Sequence, residues 1–169
     1  KLYLSGYFGN DKFYLKNKSE GYRETAGFIW GNATGTLRWN HLFNSKLFAN
    51  ASAVYSKYLF GINERYIVDN EGKDYYAEYN SGIRDFTLKY DLDFIPGTKH
   101  WIKAGVITIF HKFNPHAFVE LDVPHNINIH QVQYTYGTES GAYIEDTWQP
   151  FQQLKVNGGL RFSHFAADR

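Results

Sequence analysis

The stretch FTLKYDLDF (residues 86–94) alternates without a slip: Phe86, Leu88, Tyr90, Leu92 and Phe94 are apolar, while Thr87, Lys89, Asp91 and Asp93 between them are polar. Successive side chains of a strand point to opposite faces, so this segment makes a strand with one greasy face and one charged face. The fold class turns on what each face meets.

Composition narrows the answer. Aromatic residues make up 19% of the chain, with 14 Tyr, 14 Phe and 4 Trp against 4 Pro, a balance that suits pleated surfaces better than helices. The best apolar run is AGVITIF (104–110), far short of the roughly 18 to 20 residues a membrane helix needs, which excludes a helical membrane protein. With 18 basic and 17 acidic residues and a net charge of +1, the chain carries no electrostatic footprint for nucleic acid. It has no cysteine, so disulfides and thiolate metal sites are excluded. The opening KLYLSG has neither a basic nor an apolar targeting region. It and the closing FSHFAADR read as the ends of a piece of something longer.

Period-two alternation predicts seven strands, approximately Leu2–Gly9, Phe28–Phe43, Lys46–Asn63, Ile83–Ile95, Trp101–Phe113, Ser140–Phe151 and Leu154–Phe165. No helical period of useful length is present. In the last strand Leu154, Val156, Leu160 and Phe162 oppose Lys155, Asn157, Arg161 and Ser163. The fifth and sixth strands are blurred; in the fifth, Trp101, Ile107 and Ile109 share a parity with Lys103. Short links near Asn44-Ser45, residues 96–100 and Gln149–Gln153 alternate with long ones at 10–27, 64–82 and 114–139.

Three architectures accommodate such a meander. A soluble sandwich covers the apolar face with a second sheet, and a lipocalin-like calyx turns it inward around a ligand. A transmembrane barrel turns it outward to lipid, with short turns at one end and long loops at the other. The link lengths favour the third. Aromatics gathered near the short turns (Trp39, Phe43, Phe48, Phe94, Trp101, Trp148, Phe151) and near the long links (Phe28, Trp30, Tyr55, Tyr58, Phe60, Phe110, Phe113) read as two interfacial girdles. The expected fold is therefore all-β, an antiparallel up-and-down transmembrane β-barrel segment. On this reading Phe86, Leu88, Tyr90, Leu92, Phe94, Leu154, Val156, Leu160 and Phe162 face lipid, and Arg38, Lys89, Asp91, Asp93, Lys155 and Arg161 face the lumen. Seven strands would leave two edges unpaired in hydrocarbon, so further strands of a larger barrel are expected.

The passages GNATGTLRWNHLFNSKLFANASAVYSKYLFGI (31–62), GIRDFTLKYDLDFIPGTKHWIKAGVITIFHKFNP (82–115) and SGAYIEDTWQPFQQLKVNGGLRFSHF (140–165) resemble the barrel domain of TonB-dependent outer-membrane receptors of the Bacteroidota type. The resemblance covers most of the chain, and AYIEDTWQPFQQLKVNGGLRF is its most specific part. It implies a 22-stranded barrel with an N-terminal plug domain, importing a scarce nutrient such as a siderophore, glycan or peptide with energy delivered through TonB. The implied partners are outer-membrane lipid, the plug and remaining strands, TonB, and surface lipoproteins or other outer-membrane complex proteins; no cofactor is implied. A barrel of the same family that has lost transport and acts as an assembly scaffold remains the alternative. A soluble binding sandwich or calyx stands behind both.

Candidate ligand contacts lie on the long links. Tyr75, Tyr76 and Tyr79 sit in a segment dense in tyrosine and acids, and tyrosine offers rigid amphipathic contact area. His116, His125 and His130 share the third long link, but their spacing matches no metal-ligand motif, so no metal is expected. Asp91 and Asp93 form a carboxylate pair on one face without a nucleophile, base and orienting group around them, and the chain is not expected to be an enzyme.

Overall fold

The computed structural model describes residues 1–69, 73–123, 126–129 and 133–167; for residues 73, 115–123 and 126–129 it describes the backbone alone. The strands are β1 (Leu2–Ser19), β2 (Tyr22–Asn44), β3 (Leu47–Val68), β4 (Lys73–Phe94), β5 (His100–Val123), β6 (Asn126–Ile129), β7 (Thr135–Phe151) and β8 (Leu154–Ala167). Their order in the sheet is β1-β2-β3-β4-β5-β7-β8, every neighbour antiparallel, with the short β6 paired only to β5. This is a single all-β up-and-down sheet. Its ends, β1 and β8, do not pair with each other, so it is not closed.

The three expected long links need correction. The long links are mostly strand: β1 and β2 pair without a gap from Leu2↔Trp39 to Ser19↔Tyr22, leaving only Glu20 and Gly21 to turn the chain. Gly21 has φ 72°, a left-handed conformation that glycine adopts at little cost. Likewise β3 and β4 pair to Val68↔Lys73, and β5 runs on to Val123. Tyr75, Tyr76, Tyr79 and His116 are therefore strand residues and not loop residues. The contrast between short and long connections consequently does not hold as stated. The sheet is tall instead: a strand of 22 residues such as β4 spans about 70 Å at 3.3 Å per residue.

Local chemistry sets the irregularities. At the β2–β3 turn the Asn44 side chain accepts from the Lys46 amide at 2.9 Å, an Asx turn. The register shifts by one between Leu42 and Asn44, which leaves Phe43 as the extra residue of a bulge. A second shift falls where Asn80 and Gly82 of β4 meet Ala117 and Asn114 of β5. Pro115 lies inside that bulge, where its missing N–H removes no ladder bond.

The sheet has almost no core. Apart from four glycines, Ala49 is the one buried residue among those described, and no polar residue is buried. An accessible area of 12290 Å² compares with about 8,600 Å² for a compact folded monomer of this mass. The excess is the area of two wide faces that none of the described residues covers.

Candidate functional site

The register assigns each side chain to one of two faces. Leu4, Leu37, Ala53, Leu88, Thr108, Ser140 and His164 form one continuous row across the seven strands. Phe86, Leu88, Tyr90, Leu92, Phe94, Leu154, Val156, Leu160 and Phe162 all share this face by strand parity, here called the Leu88 face. Arg38, Lys89, Asp91, Asp93, Lys155 and Arg161 share the other, the Lys89 face. The blurred fifth strand resolves as well. Ile102, Ala104, Val106, Thr108 and Phe110 lie on the Leu88 face, while Ile107 lies beside Lys89.

On β3, β4 and β5 the apolar stripe of the Leu88 face has the same extent. It runs Leu47 to Tyr55, Phe94 to Phe86 and Ile102 to Phe110, nine residues each. The small side chains Ala51 and Ala53 leave an apolar hollow of about 400 Å³ between Leu37, Trp39, Leu88, Tyr90 and Val106. Phe86 and Phe110 stack with ring centroids 6.5 Å apart at one border. At the other border His100 stacks on Trp148 at 6.3 Å. The band thins on β7, where polar groups are partnered: Ser140 and Thr108 hydroxyls lie 3.4 Å apart, and Asp146 meets His100 Nδ1 at 2.6 Å.

The Lys89 face over the same height carries a polar network. Asn40, Asn50, Asp91, Gly105, Tyr143 and Arg161 make one row. Tyr143 donates its hydroxyl hydrogen to Asp91 at 2.9 Å across Gly105, and a Cβ on Gly105 would lie within 3 Å of both side chains. Glycine is what lets tyrosine reach over the intervening strand. Lys89 Nζ lies 2.9 Å from the second Asp91 oxygen, and the Trp101 indole donates to Asp93 at 3.0 Å. Lys103 lies 3.9 Å from Glu145 and 4.7 Å from the Trp101 ring centre. An open hollow of about 600 Å³ is lined in part by Lys89, Lys103, Tyr143, Glu145 and Arg161. Both carboxylates of the Asp91/Asp93 pair are thus engaged, Asp91 by Tyr143 and Lys89 and Asp93 by Trp101.

Beyond the stripes the two faces exchange character. The apolar parity slips by one residue: on β2 from Leu37 and Ala33 to Trp30 and Phe28, on β3 from Tyr55 to Tyr58 and Phe60, on β5 from Phe110 to Phe113. The Leu88 face turns polar, with Lys12, Asn63, Arg65, Glu78 and Asn80, though Ile29, Leu59 and Ile67 remain on it. The Lys89 face turns aromatic, with Phe13 against Phe28 at 6.2 Å. Of the seven aromatics expected to form the far girdle, Tyr55 and Phe110 lie on the Leu88 face. Phe28, Trp30, Tyr58, Phe60 and Phe113 lie on the Lys89 face, because the parity has changed beneath them.

The tyrosine trio divides the same way. Tyr75 and Tyr79 are on the Lys89 face opposite Tyr66 and Ile62, whereas Tyr76 is on the other face opposite Arg65. Tyr66 and Tyr22 both donate to Glu24, each at 3.2 Å, with their rings 5.8 Å apart. Hydrogen bonding to Glu64, then burial and Glu24, raises the Tyr66 phenol well above its ordinary range. Burial first, and the 2.7 Å bond to Glu78 second, push the Tyr76 phenol up to about 12. Asp74 is held below the usual carboxylate range by its hydrogen bonds from Arg65. His125, His130 and the side chain of His116 lie outside the described residues. Among the described residues no group of three or more His, Asp or Glu converges as a metal site.

The reading of the sequence missed the feature at the top of the stripes. Lys57, Arg84 and Lys112 are the next residues of Leu88-face parity after Tyr55, Phe86 and Phe110, and they lie side by side. The signal was present, since each ends an alternating run, but the runs must be aligned before the three ends coincide. No family model matches this chain, and no curated protein matches it.

Proposed function

We propose that the sheet is a stretch of the wall of a transmembrane β-barrel in a bacterial outer membrane, with the Leu88 face against lipid and the Lys89 face toward the lumen, and that this barrel is a receptor importing a nutrient. One observation carries the reading: three adjacent strands bear apolar stripes of equal, nine-residue length that stop at a common height. About 9 to 11 tilted residues cross a bilayer. A second layer in a sandwich, or the interior of a calyx, gives no reason for a level boundary at which the apolar parity changes faces. In a wall that stands clear of the membrane the reason is simple. Below the boundary the outside is lipid, and above it the outside is water.

The edges β1 and β8 support a larger ring. In hydrocarbon each unpaired N–H or C=O costs several kcal/mol, so additional strands must cover them. Import follows from the resemblance to TonB-dependent receptors together with a polar inner face and an aromatic upper inner face, where Tyr66, Tyr75 and Tyr79 offer contact area to a substrate.

Single-tryptophan variants test the orientation. In bilayers of brominated lipid, Trp39 and Trp148 should be quenched, and Trp101 and Trp30 should not. Equal quenching of all four removes the lipid-facing assignment. Import is tested by growth of a strain lacking the protein on single limiting nutrients. Normal growth on all of them, with loss of a co-purifying outer-membrane complex, replaces import by a scaffold role.

A further inference from the structure

We infer that Lys57, Arg84 and Lys112 form a binding row for the phosphates of a lipid headgroup, seated in the leaflet next to the tall end of the sheet; the inference rests on the wall reading above. Lys57 pairs directly with Arg84, and Arg84 directly with Lys112. Neighbouring strands are about 4.8 Å apart, so three cations rise from about 10 Å of backbone. Like charges directly opposite each other destabilise a sheet. Such a row needs an anion.

The described residues do not supply one. Four other cations of the sheet do have carboxylate partners, Arg23 with Asp69, Arg65 with Asp74, Lys89 with Asp91 and Lys103 with Glu145; what sets Lys57, Arg84 and Lys112 apart is that they stand directly opposite one another on adjacent strands. Among the described residues neither Lys57 nor Arg84 has an ion-pair partner. Lys112 Nζ sits 4.0 Å over the Tyr134 ring and 5.4 Å from that of Tyr136, contacts that hold the ammonium in place and leave its charge uncompensated. The flanking pairs on this face are aromatic on the stripe side, Tyr55, Phe86 and Phe110, and uncharged on the other, Leu59, Gly82 and Asn114.

Position selects the kind of anion. The row stands one residue pair beyond nine residues of apolar surface, so a ligand with acyl chains below and a phosphorylated head above meets both parts. A free phosphate would use the row and leave the stripe idle. Arginine's planar fork and the two ammonium groups suit phosphate oxygens. Three charges across about 10 Å exceed the −1.5 to −2 of one phosphate monoester, so a head with two phosphates fits best. One pair beyond the opposite border β5 and β7 carry His100 stacked on Trp148 and no row of adjacent cations, which places the lipid in one leaflet only.

The test uses the intact protein in nanodiscs, with binding of a lipid bearing two phosphates read by native mass spectrometry against phosphatidylcholine and against inorganic phosphate. At about fivefold per cation, Lys57→Gln, Arg84→Gln and Lys112→Gln together should weaken the two-phosphate lipid about a hundredfold and leave phosphatidylcholine unchanged. The charge-keeping pair Lys57→Arg and Lys112→Arg should retain binding, as should Lys16→Gln with Lys18→Gln higher on the same face. Brominated-lipid quenching of Trp39 is recorded on every sample. Quenching without a preference for the two-phosphate lipid, or with inorganic phosphate binding equally well, overturns the headgroup site alone. Absence of quenching in the unsubstituted protein overturns the wall and the headgroup site together. A triple Gln variant that misfolds leaves the unsubstituted protein's lipid preference and the Arg pair to decide.

Discussion

Leu88→Arg puts the orientation of the sheet to a quantitative test. Leu88 lies two residues from Tyr90, the centre of the Phe86–Phe94 stripe, between the small partners Ala53 and Thr108. It is 45% exposed in the isolated sheet, so an arginine meets open space and no packing is crushed. If that space is water, the change belongs with surface substitutions, within about 0.5 kcal/mol. If it is lipid near the midplane, the guanidinium costs about 2 to 4 kcal/mol, falling toward zero at the interface. That is about 30- to 700-fold in the folding equilibrium. The assay is reversible urea unfolding of the intact barrel in lipid vesicles, followed by tryptophan emission. A depth series of Tyr90→Arg, Leu88→Arg and Phe86→Arg should show costs that decrease toward Arg84, and Thr87→Arg on the Lys89 face should cost little. Equal costs at Leu88 and Thr87, or none at Leu88, would refute the lipid-facing reading.

Asp91→Asn keeps an oxygen that accepts from Tyr143 and loses only the Lys89 pair, so urea melts should move by less than about 1 kcal/mol; Asp91→Leu orphans the phenol and should cost about 1 to 3 kcal/mol. Gly105→Val drives a side chain into Tyr143 and Asp91 and should destabilise by about 1 to 3 kcal/mol. Gly35→Val meets open space on the Leu88 face and should be neutral or stabilising in the same melts. The Tyr76 phenol should titrate near 12 by ultraviolet absorbance. Its pKa is above the unfolded value of about 10, so the contact with Glu78 contributes at lower pH and is lost as pH rises through 12. Glu78→Gln should bring the titration down part of the way, since burial is the larger cause; no change at all would remove Glu78 from the account.

The legible parts of the fold are those where alternation keeps one phase. Residues 86–94 and 154–163 keep theirs, and the register confirms that each set of apolar residues shares a face. The upper halves of the strands read as loops in the sequence for two reasons. Asn10, Asp11, Lys12, Asn17 and Lys18 are strand-poor residues, and the apolar parity slips by one between Ala33 and Trp30 and between Tyr55 and Tyr58, so a window spanning the slip sees no period. Tyr66 and Glu24, or Tyr143 and Asp91, are 42 and 52 residues apart in the chain, and nothing local announces that they meet.

By itself, then, the sequence determined that the chain makes two-faced strands, that it holds no apolar run long enough for a membrane-spanning helix and that it contains no cysteine, because these follow from neighbouring residues and from composition. Tertiary structure alone decided that the stripes end level, that Lys57, Arg84 and Lys112 stand abreast, and that the aromatic surface changes sides above them. Alternation is a property of consecutive residues, whereas register is set by hydrogen bonds between residues far apart in the chain, and only register turns three separate lysines and arginines into one charged row.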